Sequence, residues 1–231
     1  MKVQGNMFIQ TIEISGFKGA IFGMRNPMNS WHMSDSHEQD GVFIIGENDL
    51  KLAKNLVKGG AEHRKFLRMI QVQFNLNMPR YIWSEFDTYS FNTKNSCSTM
   101  HKLLNVDDTK NREETELDVL LNTRGELTLE NFVYYNKDEE LMNEIINKLN
   151  LLREEYTRIG VTAKDKKEIL RRAKMLLPEG YLQMRTVSTN YEELMNIYKQ
   201  RNKHRLDVEW GMICDYIVGL PYMMELMGFE M

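Results

Sequence analysis

The chain has 231 residues and a formal net charge of −3, with 42% hydrophobic and 27% charged residues. This composition is typical of a globular protein that buries a sizeable core, and the charge excludes the basic field that non-specific nucleic-acid binding needs. No apolar run approaches the roughly 20 residues that span a bilayer, and the N-terminus lacks a secretory pattern, so we expect a cytoplasmic protein with no membrane partner.

The first third of the chain predicts a hairpin, a helix and a strand. Residues 7–23 form two apolar runs broken at a Ser-Gly pair, which favours a hairpin. A helix is predicted from Asn48 to the glycine pair at residues 59–60. In MIQVQFNLN, residues 69–77, apolar and polar residues alternate, which indicates a half-covered antiparallel strand that ends at Pro79.

The remaining chain predicts mainly helices. Helical spacing follows Pro79, and residues at about 104–137 form a polar, weakly periodic insertion. Strong amphipathic periodicity predicts a helix over 138–159. Thr162 is the expected N-cap of the next helix, and Thr189 or Asn190 of the one after it. A last apolar helix is expected over about 206–220. We therefore predict an α+β fold, with a small antiparallel sheet and several long helices in a single domain over 1–231.

One histidine lies in a basic segment, GGAEHRKFLR. His63 is followed by Arg64, Lys65 and Arg68. A lone histidine at the junction of two elements is usually a structural hydrogen-bonding residue, and basic residues on a helix are usually solvated. An anion site is the alternative interpretation of this cluster.

A second basic run, KQRNKHR, contains Arg201. Cations near the C-terminus of a helix interact favourably with its dipole, so a solvated helix end is the default interpretation. Recognition of a phosphate or a carbonyl group is the alternative, because a guanidinium group donates two parallel hydrogen bonds.

The stretch SEFDTYSFNTKNSCSTMHK, residues 84–102, mixes aromatic and polar residues in a way that suggests a ligand pocket. Cys97 and His101 lie four residues apart, so a cysteine nucleophile is conceivable, although no neighbouring feature lowers the thiol pKa. Cys97 and Cys214 belong to no paired His/Cys spacing, which argues against a disulfide and against a metal site. No phosphate loop or paired-carboxylate motif defines an enzyme class.

Several segments in order resemble the flavin-dependent thymidylate synthases. AKMLLPEGYLQMRTVSTNYEELMNIYKQRNKHRLDVEW is similar to the family's Ala-Arg-x-x-Leu-Pro run and its Thr-x-Asn-x-Arg motif. Pro178 and Asn190 have the family's separation, and Arg201 follows eleven residues later at the position of the arginine that contacts and polarises the dUMP base. His63 and Pro79 keep the spacing of the family's His-x-Ser block and following strand.

The family signature, Arg-His-Arg followed by seven residues and a serine, falls on residues 88–90 and Ser98. Thr88, Tyr89 and Ser90 replace the triplet, while Asn95 and Ser98 match the frame. Three further positions differ from the family pattern. Lys65 replaces Ser or Thr, Arg68 replaces Glu, and Glu192 replaces the arginine of Thr-x-Asn-x-Arg.

The resemblance implies a homotetrameric flavoprotein that binds FAD and a uridine nucleotide such as dUMP, and NADPH and methylene-tetrahydrofolate if the methyltransferase chemistry is retained. It implies Arg201 as the catalytic residue. The implied cofactor-binding residues are His63, Lys65, Arg68 and Asn190. The implied nucleotide-binding residues are Glu85, Tyr89, Ser90, Asn95, Ser98 and Arg201.

Loss of the signature leaves two hypotheses open. The first is a divergent enzyme in which Arg64, Lys65 and Arg68 replace the lost cations. The second is a catalytically inactive descendant that keeps the fold for nucleotide binding or assembly. An unrelated enzyme that uses Cys97 with His101 is a third possibility.

Overall fold

The computed structural model describes residues 3–105, 113, 115–123 and 125–228, and it confirms the α+β fold. The central sheet has four strands in the order β2-β5-β8-β6, and two small antiparallel sheets pair β1 with β7 and β3 with β4. The described strands are β1 Val3–Gln4, β2 Phe8–Ser15, β3 His37–Gln39, β4 Val42–Ile44, β5 Gln71–Pro79, β6 Thr93–Ser96, β7 Tyr134–Tyr135 and β8 Leu182–Asn190.

Most helices lie where periodicity and capping residues predict them. Thr162 forms a reciprocal capping box with Asp165, and the side chain of Asn190 accepts a hydrogen bond from the Glu193 amide. Both N-cap predictions are therefore confirmed, with Asn190 instead of Thr189. The described helices are α1 Phe17–Met24, α2 Glu47–Lys58, α3 Arg80–Phe86, α4 Thr99–Lys102, α5 Glu116–Leu120, α6 Glu139–Thr157, α7 Ala163–Leu176, α8 Tyr191–Arg201, α9 Asp207–Val218 and α10 Met223–Met227.

The predicted hairpin over residues 7–23 is wrong, because its second half is helix α1. Gly16 has a left-handed φ of +91°, and a Cβ atom there would lie 2.0 Å from the Met69 carbonyl oxygen. Only glycine can make this turn. The chain therefore leaves β2 into a helix, which buries Ala20, Ile21 and Met24 on one face.

Strand β5 is more buried than the alternation of its sequence suggests. Residues 74–79 are all buried, including Asn75 and Asn77, so the prediction of a half-covered strand is wrong for this part. The Asn75 amide donates to Gln10 and accepts from the Thr186 hydroxyl. Such pairing makes burial of a polar residue tolerable.

The chain folds into two compact units. The first unit contains residues 1–8, 76–88 and 95–185, and the second contains 9–75, 89–94 and 186–231, as far as these are described. Whether they unfold as one cooperative domain, as expected from the length, stays a prediction. Within the described residues, no helix has the length and apolarity to cross a membrane.

The first unit has its core between α6, α7 and the loops before them. Residues 106–112, 114 and 124 of the predicted insertion lie outside the described residues. Its described part includes the short helix α5 and contributes apolar side chains to the core. The buried members of this core are Leu103, Leu104, Leu127, Phe132, Met142, Ile146, Leu149, Leu152, Ile169, Ala173 and Leu177.

The second unit packs α8 against α9 and against the 3-10 helix Lys65–Met69. Tyr191 and Trp210 are completely buried there. The Tyr191 hydroxyl donates to the Pro221 carbonyl over 2.9 Å, and Phe17 packs edge-on against the Tyr191 ring. These contacts fix the start of α8 within the second unit.

Candidate functional site

Arg201, at the end of α8, has its guanidinium group held in one orientation. Its Nε donates to the Tyr89 hydroxyl over 2.8 Å, and its Nη1 lies 2.9 Å from His204 Nε2. The guanidinium carbon lies 4.4 Å from the centre of the Trp210 ring, in cation–π geometry. Arg201 is half-buried, so the interpretation of a solvated helix end is wrong.

Tyr89 and Arg201, which were predicted separately as nucleotide-binding residues, are in contact within the second unit. Tyr89 is buried, its hydroxyl also lies 3.2 Å from Gln200 Oε1, and its ring packs edge-on against Trp210. Ser90, next in sequence, is exposed. Asn92 donates to the Tyr89 carbonyl, while its buried Oδ1 has no hydrogen-bond partner among the described residues.

A second group of charges surrounds Glu192, at the start of α8. Arg64 Nε donates to one carboxylate oxygen of Glu192 over 3.0 Å, and Arg68 donates to the other. The Glu192 side chain is only 7% exposed, against 17% for Arg64 and 51% for Arg68. We call Arg64, Arg68 and Glu192 the Glu192 cluster.

Electrostatics keep Glu192 ionised. Burial alone would raise the pKa of Glu192, but the hydrogen bonds from Arg68 and Arg64 outweigh it and hold the pKa below its ordinary value. Arg68 and Glu192 are both positions where the sequence reverses the charge of the thymidylate synthase pattern. In this chain the two residues form an ion pair with each other.

Of the other residues predicted to bind the cofactor, two are neighbours of Arg64 in sequence and one caps the helix α8. His63 is exposed and lies against Gly59. Lys65 is also exposed, and its Nζ lies 3.4 Å from Glu62 Oε2. Burial and the charge of Arg64 lower the pKa of Lys199, which places a further cation near the cluster. Asn190 uses its side-chain oxygen to cap α8.

The remaining predicted nucleotide residues belong to the first unit. Glu85 is half-buried in α3, Asn95 is exposed in β6, and Ser98 is the N-cap residue of α4. Ser98 lines a cavity of about 340 Å³ whose lining residues all belong to this unit. The Lys174 ammonium donates to the Thr99 hydroxyl over 2.5 Å beside it.

Cys97 lines the same cavity, but its surroundings do not activate it. Although the residue is exposed, desolvation of its thiol raises the pKa of Cys97, and this effect exceeds the lowering by Lys102. A cysteine nucleophile needs a lowered pKa. His101 is exposed and makes no recorded contact with the thiol, so the structure gives no support to a Cys97–His101 pair.

Sequence reasoning missed three residues that define these sites. Trp210 and His204 hold Arg201, but an aromatic residue in an apolar helix predicts only core packing. Arg153, in α6, is buried in the cavity of the first unit. Its position on the apolar stripe of the helix was the signal that could have revealed it.

The fold is that of the flavin-dependent thymidylate synthases. No model of a known protein family matches the chain, and no curated protein matches it. A crystal structure of thymidylate synthase X from Helicobacter pylori with FAD and dUMP matches with a TM-score of 0.64 and 17% identity, covering 95% of both chains.

A second structure of the Helicobacter pylori enzyme, described as flavin-dependent thymidylate synthase complexed with FAD and dUMP, also matches. Its TM-score is 0.64 and its identity 18%, covering 95% of this chain and 96% of that one. The likeness at this identity establishes the fold of the chain, and the chemistry has to be argued from its own residues.

Proposed function

We propose that the protein binds FAD and a uridine nucleotide such as dUMP, and uses them in one-carbon transfer or related nucleotide chemistry. The observation that carries the proposal is the fixed guanidinium group of Arg201, stacked on Trp210 and bonded to Tyr89. The likeness to thymidylate synthase X over almost the whole chain supports it. We further propose a cytoplasmic homotetramer, as the family resemblance implies.

Arg201 is the proposed catalytic residue. A guanidinium group held in one plane can donate to a pyrimidine carbonyl and stabilise negative charge that develops on it. Tyr89 and Trp210 supply that orientation through a hydrogen bond and a stacked ring. The Oδ1 of Asn92, which has no hydrogen-bond partner among the described residues, offers an acceptor to an N–H donor, and a uracil ring has one.

The surroundings of the Glu192 cluster fit the diphosphate of FAD. Four cations, Arg64, Lys65, Arg68 and Lys199, accompany two carboxylates, those of Glu62 and Glu192. The excess positive charge favours a diphosphate.

His63, Lys65, Arg68 and Asn190 are the proposed cofactor-binding residues. FAD, when bound, supplies hydride transfer. NADPH and methylene-tetrahydrofolate belong to the proposal only if the methylation itself is retained.

For the nucleotide, we propose contacts from Tyr89 and Ser90 in addition to Arg201, all of the second unit. The family resemblance also implies contacts from Glu85, Asn95 and Ser98, which belong to the first unit. Tyr89, Ser90 and Ser98 offer hydroxyl groups, which can hydrogen-bond a phosphate but cannot neutralise it. We therefore expect weaker binding of the phosphate than a site with arginines in these positions would give.

The second candidate function is a catalytically inactive nucleotide-binding or assembly protein. The Glu192 cluster favours it, because Glu192 binds both Arg64 and Arg68. These two arginines were the expected replacements for the lost cations. Arginines that are paired in this way are less available to a ligand.

Dependence of flavin oxidation on dUMP separates the two functions. The protein is loaded with FAD, the flavin is reduced, and its reoxidation is followed with methylene-tetrahydrofolate in the presence and absence of dUMP. The enzyme hypothesis predicts faster reoxidation with dUMP and loss of this effect in Arg201→Gln. Binding of dUMP without any effect on the flavin supports the inactive descendant.

A further inference from the structure

One arginine of the first unit lies on the buried face of helix α6, where the periodicity predicts an apolar residue. Met142, Ile146 and Leu149 form the buried stripe of α6, and Arg153 continues it four residues after Leu149. Arg153 is only 6% exposed. An amphipathic helix normally places an apolar residue here, because a buried charge without a partner is costly.

The guanidinium group of Arg153 lacks the partners that a buried arginine usually has. Its Nε has no hydrogen-bond partner, and no ion pair of Arg153 is recorded, among the described residues. Burial lowers the pKa of Arg153, although Tyr181 and Glu126 act in the opposite direction. These neighbours do not replace a hydrogen-bonded anion.

Arg153 lines the cavity of about 340 Å³ in the first unit, and Asn77 is also a lining residue. Asn77 donates to the Asn6 carbonyl over 2.9 Å, but its buried Oδ1 has no partner among the described residues. Leu120, Leu121 and Leu127 supply apolar walls. The volume falls within the range of small-molecule sites, about 300–1,000 Å³.

We propose that this cavity binds a small organic anion, a phosphate or a carboxylate, that also carries an N–H or O–H donor. The anion accepts hydrogen bonds from Arg153, and the donor binds Asn77 Oδ1. Lys102 and Asp118, of opposite charge, also belong to the lining, where the Asp118 carboxylate accepts hydrogen bonds from the Thr115 and Thr123 hydroxyls, and Glu130 is exposed. Arg153 is the specificity-determining residue for the negative charge.

The proposal goes beyond the flavin and nucleotide assignments, since Arg153 and Asn77 belong to neither. Ser98 is shared with the proposed nucleotide site. A nucleoside monophosphate has the chemistry that the cavity favours, and so has an amino acid with a side-chain carboxylate. The test therefore uses dUMP, inorganic phosphate and L-glutamate as separate probes, with deoxyuridine as the uncharged counterpart of dUMP.

The test compares wild type, Arg153→Met and the control Arg171→Met, which changes an exposed arginine of the neighbouring helix α7. Thermal shift and calorimetry are measured with each probe. We expect at least one anion to raise the Tm of the wild type and of Arg171→Met. In Arg153→Met its affinity falls at least 10-fold, a change of about 1.4 kcal/mol. Deoxyuridine gives no shift that depends on Arg153.

Without ligand, Arg153→Met is expected to melt at or above the wild-type temperature, because methionine fits the apolar stripe and removes an unpaired buried charge. A lower Tm shows that the protein itself compensates the charge, and overturns the proposal. Equal affinities in Arg153→Met and wild type, or no shift with any probe, overturn it too.

These results are independent of the nucleotide function. Binding of dUMP that survives Arg153→Met supports the proposed function and contradicts this site. A stabilising effect of glutamate or phosphate that depends on Arg153, without any effect of dUMP, supports this site and contradicts the proposed nucleotide function.

Discussion

Replacing Glu192 by glutamine removes the negative charge that Arg64 and Arg68 share. Arg64 is nearly buried and keeps only a neutral acceptor, whereas Arg68 is half-exposed and can turn to solvent. A charge-assisted hydrogen bond contributes about 1.5–3 kcal/mol, and an exposed ion pair less than about 1 kcal/mol. Counting mainly the Arg64 bond, we expect Glu192→Gln to lower the free energy of unfolding by about 2 kcal/mol.

For a chain of this length, about 2 kcal/mol corresponds to a decrease in Tm of about 4–8 °C. Thermal unfolding followed by circular dichroism measures it, with Glu155→Gln as the matched control. Glu155 pairs with Arg172 on the surface, where both side chains are about two-fifths exposed, so we expect a change below about 1 kcal/mol there. Equal Tm values for the two variants would refute the argument that the Glu192 cluster stabilises the second unit.

Three further predictions concern other contacts of the described residues. Thr162→Ala removes the capping box of α7 and should cost about 1 kcal/mol in a denaturant titration; no change would show that the cap is dispensable. Arg201→Lys keeps the charge but loses the planar stack on Trp210, so dUMP affinity should fall at least tenfold, about 1.4 kcal/mol; unchanged affinity would contradict the assigned role. The Arg25–Asp49 pair should be lost in acid, because hydrogen bonds from Ser34, Ser36 and Arg25 outweigh the effect of burial and lower the pKa of Asp49. The contribution of Asp49 to the free energy of unfolding is then complete above the ordinary pKa of an aspartate and is lost as the pH drops below about 4. In Asp49→Asn the free energy of unfolding should fall less steeply with decreasing pH.

Local sequence signals were sufficient to predict most of the helices. The end of α2 at its glycine pair and the capping residues of α7 and α8 act within a few residues of sequence, so they are visible without the tertiary structure. The hairpin prediction failed because Gly16 approaches the Met69 carbonyl, a contact between residues far apart in the chain. No pattern within residues 7–23 reports such a contact.

The candidate site was predictable only where a sequence pattern exists. Spacing identified Arg201, but the contact of Arg201 with Tyr89 and Trp210 depends on the tertiary structure. The charge reversals at Arg68 and Glu192 were visible as separate departures, and only the structure shows that they compensate each other. Arg153 was hidden because the amphipathic pattern of α6 is strong enough to absorb one charged residue.

The visible absorption spectrum of the purified protein, before and after incubation with FAD and removal of free cofactor, tests the central claim most directly. The account predicts that a flavin band stays with the protein, and that dUMP perturbs the band in the wild type but not in Arg201→Gln. A protein that remains colourless after incubation with FAD would contradict the claim that this chain is a flavoprotein.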